Sequence, residues 1–167
     1  KDQVAVKFTR DGDVQLFIAA GASGQGHETI FPEMVGEWLG IDPSRIVLRA
    51  GDPDGPALIG GASIGSRTAF SQGGSFRVAS DEVIRKGKDL AADALEAPAA
   101  DIEFRYGRYV VKGTDRAIAL TDIIERNRRN GAHPLDTIGE TPAKRAFPSG
   151  AHVCEVEIDP ETGASEI

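Results

Sequence analysis

Cysteine is nearly absent from this chain of 167 residues, with Cys154 the single example. One thiol excludes an internal disulfide framework and any zinc or iron–sulfur site built from several cysteines. Histidine is scarce too, with three residues. No HExxH motif, close His pair or carboxylate cluster stands at ligand spacing, so no protein-ligated metal is expected. Basic residues are outnumbered, 19 Lys and Arg against 26 Asp and Glu, which leaves a formal net charge of −7. That balance disfavours nucleic acid and anionic lipid as general partners. No apolar run approaches the ~20 residues of a membrane-spanning helix, and no signal-peptide pattern opens the chain. The cytoplasm is the expected location. The chain opens on Lys1 and closes on Ser165-Glu166-Ile167 directly after a turn. The expectation is therefore a single domain over residues 1–167, cut from a longer polypeptide.

What the chain does have is glycine, 20 residues of it, set among an ordinary globular mix of 40% hydrophobic and 27% charged residues. Val4–Phe8 and Val14–Ile18 read as strands around an Asp11-Gly12-Asp13 turn. A helix is expected over 28–39, with Ile30, Met34, Val35, Trp38 and Leu39 near helical spacing, Pro32 tolerated if it lies in the first turn, and Gly40 as its stop. Arg45–Arg49 reads as a strand. A long helix over 69–95 would turn Phe70, Val78, Val83, Ile84 and Leu90 inward, and Gly73-Gly74 inside it marks a close approach of backbone or ligand. Short strands follow around 102–104 and 109–111. A helix opening near Thr121 would end at Gly131, with Arg126, Arg128 and Arg129 in its last turn. Residues 132–147 show no periodicity. His152–Ile158 reads as a strand that buries the Cys154 thiol, and 159–163 as a turn. Strand pairs mixed with two or three helices predict an α+β domain.

Two glycine-rich loops carry the chemical signal. The first, Gly21-Ala22-Ser23-Gly24-Gln25-Gly26-His27, leads into a helix N-terminus, where free N–H groups and the helix dipole favour an anion. Gln25 offers both a donor and an acceptor to a polar ligand. Neither a P-loop nor the dinucleotide GxGxxG spacing is present. From the residues alone, a tight turn with a helix cap is the stronger reading of the segment. The second loop, Gly60-Gly61-Ala62-Ser63-Ile64-Gly65-Ser66-Arg67-Thr68, has the same build. Ser66 or Thr68 suits an N-cap, and Arg67 suits either a phosphate or an ion pair. Two such loops, each feeding a helix, could clasp a phosphate-bearing ligand between them.

At these residues the chain resembles a known family. Gly24-Gln25-Gly26-His27-Glu28-Thr29, Leu39-Gly40-Ile41-Asp42-Pro43, Gly51-Asp52-Pro53-Asp54, Gly65-Ser66-Arg67-Thr68 with Gly73-Gly74, and the 150–159 segment occur in the order found in the molybdopterin-binding large subunits of the xanthine dehydrogenase, aldehyde oxidase and carbon monoxide dehydrogenase group. The resemblance implies a fragment of the C-terminal half of such a subunit, holding molybdenum-molybdopterin in its cytosine dinucleotide form. By the same resemblance Gly24, Gln25, Gly26 and His27 with Gly65, Ser66, Arg67 and Thr68 bind the cofactor. FAD and 2Fe-2S clusters would reside on partner subunits or domains, and the rest of the same large subunit and a small-molecule substrate complete the partners. The family's glutamate base lies in a motif outside these residues, so no catalytic residue is assigned. A cofactor-free homologue acting in subunit assembly, and an unrelated phosphate-ligand-binding α+β domain, are the alternative readings.

Overall fold

The computed structural model describes residues 1–142 and 146–167. Strands β1 (Asp2–Phe8) and β2 (Val14–Ile18) form the expected hairpin. Helix α1 (His27–Leu39) then carries the chain to β3 (Ile46–Ala50), which lies parallel to β2. Parallel neighbours need such a crossover. Helix α2 (Arg67–Leu95) is followed by β4 (Ile102–Arg105), β5 (Arg108–Val111), β6 (Ala117–Ala119), α3 (Leu120–Arg126) and β7 (Thr137–Thr141). The main sheet has the order β3-β2-β1-β7, and β4-β5-β6 form a separate antiparallel meander. The α+β expectation holds.

The sheet's period-two pattern builds the core. Val4, Val6 and Phe8 on β1 and Val14, Leu16 and Ile18 on β2 are buried. Helix α1 adds Phe31, Val35 and Leu39, and α2 adds Phe76, Ala79, Val83 and Ala91. Each fully buried large side chain of this kind contributes on the order of 2 kcal/mol.

The helix faces differ from the sequence expectation in an instructive way. On α2, Val83 is buried as expected and Ile84 and Leu90 are half-buried, but Phe70 and Val78 are 55% and 45% exposed. The inward face is set by small residues instead. Gly87 makes room for the Tyr109 ring, Gly73 for the Met34 methyl group and Ala79 for Gly139 of β7. Close backbone approach thus outweighs side-chain bulk in orienting the helix. Gly73 and Gly74 face the side chains of Met34 and Thr141. On α1, Phe31 turns inward while Ile30 is 40% exposed. Pro32 is the helix's sixth residue, beyond the first turn, where it deprives the Glu28 carbonyl of its usual donor.

Strand β7 lies in the stretch that shows no periodicity. Its inward positions are Thr137 and Gly139 and its outward one is Ile138, so the usual alternation is inverted. Helix α3 ends at Arg126 with Asn127 as its cap, short of Gly131. Arg128 and Arg129 therefore lie outside it, bonding the Asp11 and Ala132 carbonyls. The expected strand over 152–158 shrinks to β8 (Glu157–Ile158), paired with β9 (Ser165–Glu166) around the expected turn. Cys154 is exposed, not buried, because residues 147–167 lie on the outside of the described fold and offer the thiol no facing layer. No helix among the described residues is long and apolar enough to cross a membrane.

Candidate functional site

Both glycine-rich loops end at helix N-termini that no side chain caps. Helix α1 starts after Gly26 (φ 77°) and α2 after Ser66 (φ 56°), both in the left-handed region and neither with a side-chain hydrogen bond to the first turn. Ser66 holds the N-cap place, yet its hydroxyl does not perform the capping that the sequence suggests. The first-turn N–H groups carry partial positive charge without a side-chain cap, although those of Thr29 and Ile30 donate to the Gly26 carbonyl and that of Arg67 to the Ile64 carbonyl. Glycine is required along this rim for its conformation. Gly24, Gly26 and Gly65 have φ of 88°, 77° and 60°, and a Cβ on any of them would meet nothing within 4 Å.

Hydrogen bonds tie the loops together. The Gln25 side chain accepts from the Ser23 N–H (2.5 Å), and its Nε2 donates to Ser63 Oγ (3.1 Å). Thr68 Oγ1 donates to the same Ser63 oxygen (2.9 Å). With both bonds received, the Ser63 hydroxyl proton and the second Gln25 N–H remain available to a ligand. The second loop is anchored in turn on β1. Gln3 exchanges backbone and side-chain bonds with Ile59, and the Gly61 N–H donates to the Asp2 carboxylate (3.1 Å).

Arg67 completes that anchor. Its guanidinium bonds both Asp2 oxygens, at 2.7 and 2.5 Å, while Asp2 is 1% exposed. Burial works to raise the Asp2 pKa, but the bonds from Arg67 and the Gly61 N–H more than offset it and hold the carboxyl below its ordinary value. Of the two sequence readings of Arg67, the ion pair describes its side chain. Its backbone N–H donates to the Ile64 carbonyl at 3.4 Å.

The result is one open cleft of about 550 Å³ between the loops, lined by Gln25, Gly26, His27, Ile30 and residues 63–69. Seven of the eight expected residues line it, and the eighth, Gly24, precedes the lining residue Gln25 in the chain. Ser63, which joins the loops, and the exposed side chains of Ile30 and Ile64 are site residues that the sequence does not single out. A hydroxyl inside a Gly-rich loop is the signal for Ser63; the two isoleucines carry none, since an apolar side chain beside a loop reads as core.

His27 is the first residue of α1 and 5% exposed, its ring 5.5 Å from that of Phe31. Its Nδ1 is buried without a hydrogen-bond partner. His133 is equally buried, but its Nδ1 accepts from the Leu135 N–H and its Nε2 donates to the Ile124 carbonyl. Asp52 accepts from the Asp54 N–H in the turn expected of it. Among the described residues, no three His, Cys, Asp or Glu side chains converge at metal-holding distance.

The chain is 33% identical over 174 residues to the 6-hydroxypseudooxynicotine dehydrogenase complex subunit gamma of Paenarthrobacter nicotinovorans, covering 97% of this chain and 21% of that one. It is 27% identical over 171 residues to the carbon monoxide dehydrogenase large chain of Afipia carboxidovorans, with 99% of this chain and 21% of that protein covered. Among solved structures, Cu,Mo-CO dehydrogenase in its carbon monoxide reduced state superimposes with a TM-score of 0.75 at 24% identity, over 84% of this chain and 18% of that one. Quinoline 2-oxidoreductase from Pseudomonas putida 86 does so with a TM-score of 0.70 at 24% identity, over 98% and 22%. The chain thus spans about a fifth of the relatives' length. A family profile described as "Molybdopterin cofactor-binding domain" matches residues 1–167. The chain belongs to the molybdopterin cofactor-binding domain family.

Proposed function

We propose that this chain forms part of the large subunit of a molybdenum-dependent hydroxylase or dehydrogenase, and that the cleft between the two glycine-rich loops holds part of its molybdopterin cofactor. The observation that carries the reading is the meeting of two uncapped helix N-termini in one cleft. The donor set fits the group. Free N–H groups and the Ser63 hydroxyl suit a phosphate, and the exposed Ile30 and Ile64 side chains suit the face of a flat ring. When bound, the cofactor supplies the oxidation–reduction chemistry.

The chain's residues bind and orient. Backbone N–H groups at His27 and Thr68 and their neighbours meet negative charge. Gln25 and Ser63 brace one loop against the other and offer their remaining protons. The Arg67–Asp2 pair fixes the second loop on β1, so the cradle keeps its shape before the ligand arrives. None of these residues is assigned a proton-transfer role. A dinucleotide form of the cofactor, flavin and iron–sulfur partner domains, a small-molecule substrate and a cytoplasmic location belong to the same proposal.

The test is Gln25→Ala in the full-length subunit. Its amide is exposed and bridges loops, so the variant should melt within a few degrees of the wild type while losing most of its molybdenum, pterin and turnover. A variant with full cofactor content and unchanged turnover would remove Gln25, and with it the cleft, from the site.

A further inference from the structure

We infer that a basic cavity at the far end of the β1–β2 hairpin docks an acidic segment of a partner polypeptide, whose carboxylates pair with Arg10 and Arg129. That the partner is another subunit of the same enzyme rests on the reading of this chain as one subunit; the cavity itself is independent of the cofactor cleft. It holds about 510 Å³ and is lined by Arg10, Asp11, Arg128, Arg129 and Asn130. The seven residues of β1 set it about 20 Å from Asp2, which anchors the loop of the cleft.

The wall of the cavity is built before a partner arrives. Thr9 closes the hairpin turn, its N–H donating to the Asp13 carbonyl and its carbonyl accepting from the Gly12 N–H. Arg128 donates to the Asp11 carbonyl and Arg45 to the Gly12 carbonyl, each at 2.9 Å. Arg128 also bonds Glu125 at 3.2 Å, and Arg45 pairs with Asp13 at 3.4 Å. These two guanidiniums are occupied within the chain. Arg10 and Arg129 are not. Both are exposed, and among the described residues neither has a carboxylate partner. The Arg129 Nε donates to the Ala132 carbonyl, which fixes the guanidinium and leaves its two terminal nitrogens to a ligand.

The lining selects the chemistry of that ligand. Three guanidiniums stand against one carboxylate, that of Asp11, in a chain whose formal net charge is −7. An acidic segment is therefore repelled by most of the surface and drawn to this part of it. A guanidinium takes a carboxylate through paired hydrogen bonds, and Arg is among the residues that concentrate binding energy at interfaces. Among the described residues no apolar or aromatic side chain lines the cavity. It offers a nucleotide base nothing to stack on and an apolar anchor nothing to fill. A peptide carrying several carboxylates needs neither.

The test uses the full-length subunit, with an octaglutamate peptide as the probe in titration calorimetry. The wild type should bind the peptide, more weakly as salt is added. Arg10→Glu should weaken binding about ten-fold or more, and Arg129→Gln should weaken it less. Lys88→Glu, the same change of charge on α2, should leave binding as it is. Arg10 makes no bond within the described residues, so Arg10→Glu should melt with the wild type and keep its molybdenum and pterin. In the assembled complex it should release partner subunits at lower salt than the wild type does.

No peptide binding by the wild type would overturn the inference, as would equal weakening by Arg10→Glu and Lys88→Glu. Binding of inorganic phosphate without binding of the peptide would make this a small-anion site and overturn the docking role. Partner release at unchanged salt in Arg10→Glu would do the same. Cofactor content separates this inference from the functional reading. A subunit without molybdenum that still binds the peptide through Arg10 leaves the inference standing, and a loaded subunit that ignores the peptide ends it.

Discussion

Glycine does opposite work at the two ends of this molecule. On the cleft rim, Gly24, Gly26 and Gly65 have left-handed backbones and open space where a side chain would stand. In the packing seam, Gly139 and Gly87 have ordinary backbones and no space at all, with the Ser75 carbonyl against one and the Tyr109 hydroxyl against the other. The rim needs glycine for conformation and the seam needs it for proximity. The two buried histidines divide in the same way. His133 has both ring nitrogens bonded within the chain, while the Nδ1 of His27 is buried without a partner.

Substitution should separate the two regions, and the largest effect belongs to the seam. An added methyl in Gly139→Ala would strike the Ser75 carbonyl oxygen and stand 2.9 Å from the Ala79 Cβ. Helix α2 would have to lift off β7, at a cost of about 3 kcal/mol in chemical denaturation. An unchanged unfolding midpoint would show that the seam is looser than its contacts imply.

Arg67→Ala comes next, because it strands a carboxylate that is 1% exposed. Breaking such a pair costs about 3 kcal/mol, here moderated by the partial exposure of Arg67. The folded-state pKa of Asp2 lies below its ordinary value. Its stabilisation is therefore fully present above about pH 4 and fades as the pH falls through the lower, folded value. Asp2→Asn should flatten this acid limb of the stability curve. His133 contributes a second, milder slope. Its burial lowers its pKa, so stability declines as the pH drops below about 6.5 and the unfolded chain takes up the proton first.

The smallest effect on stability should come from the rim. Gly65→Ala adds only the strain of a left-handed alanine, about 1 kcal/mol, since nothing stands within 4 Å of the new Cβ. Its cofactor content should nevertheless fall more than that of any seam variant that still folds. Equal cofactor loss for equal loss of stability would erase the distinction between the regions.

What is legible in the sequence follows the same division. The two loops, the helices after them and seven of the eight residues on one cleft can be read locally, because a glycine-rich run before an amphipathic stretch has a local meaning. The Asp2–Arg67 pair spans 65 residues and joins a strand's first residue to a helix's first, so nothing in either segment announces it. The face of α2 is misread from hydropathy because Gly73, Ala79 and Gly87, which share its inward side with Phe76 and Val83, rank below the exposed Phe70 and Val78. Strand β7 is hidden for the same reason, its buried positions being Thr137 and Gly139. Cys154 lies between Val153 and Val156 in an apolar stretch that reads as core, yet a face becomes a core only when another layer meets it.

The most direct measurement is the molybdenum and pterin content of the full-length wild-type subunit, produced with its partner subunits in a host whose own molybdoenzymes are loaded. A cofactor cradle between the two loops predicts about one molybdenum and one pterin per subunit, retained through purification and lost on unfolding. A folded complex with no molybdenum and no pterin would contradict it and leave this chain a cofactor-free member of its family.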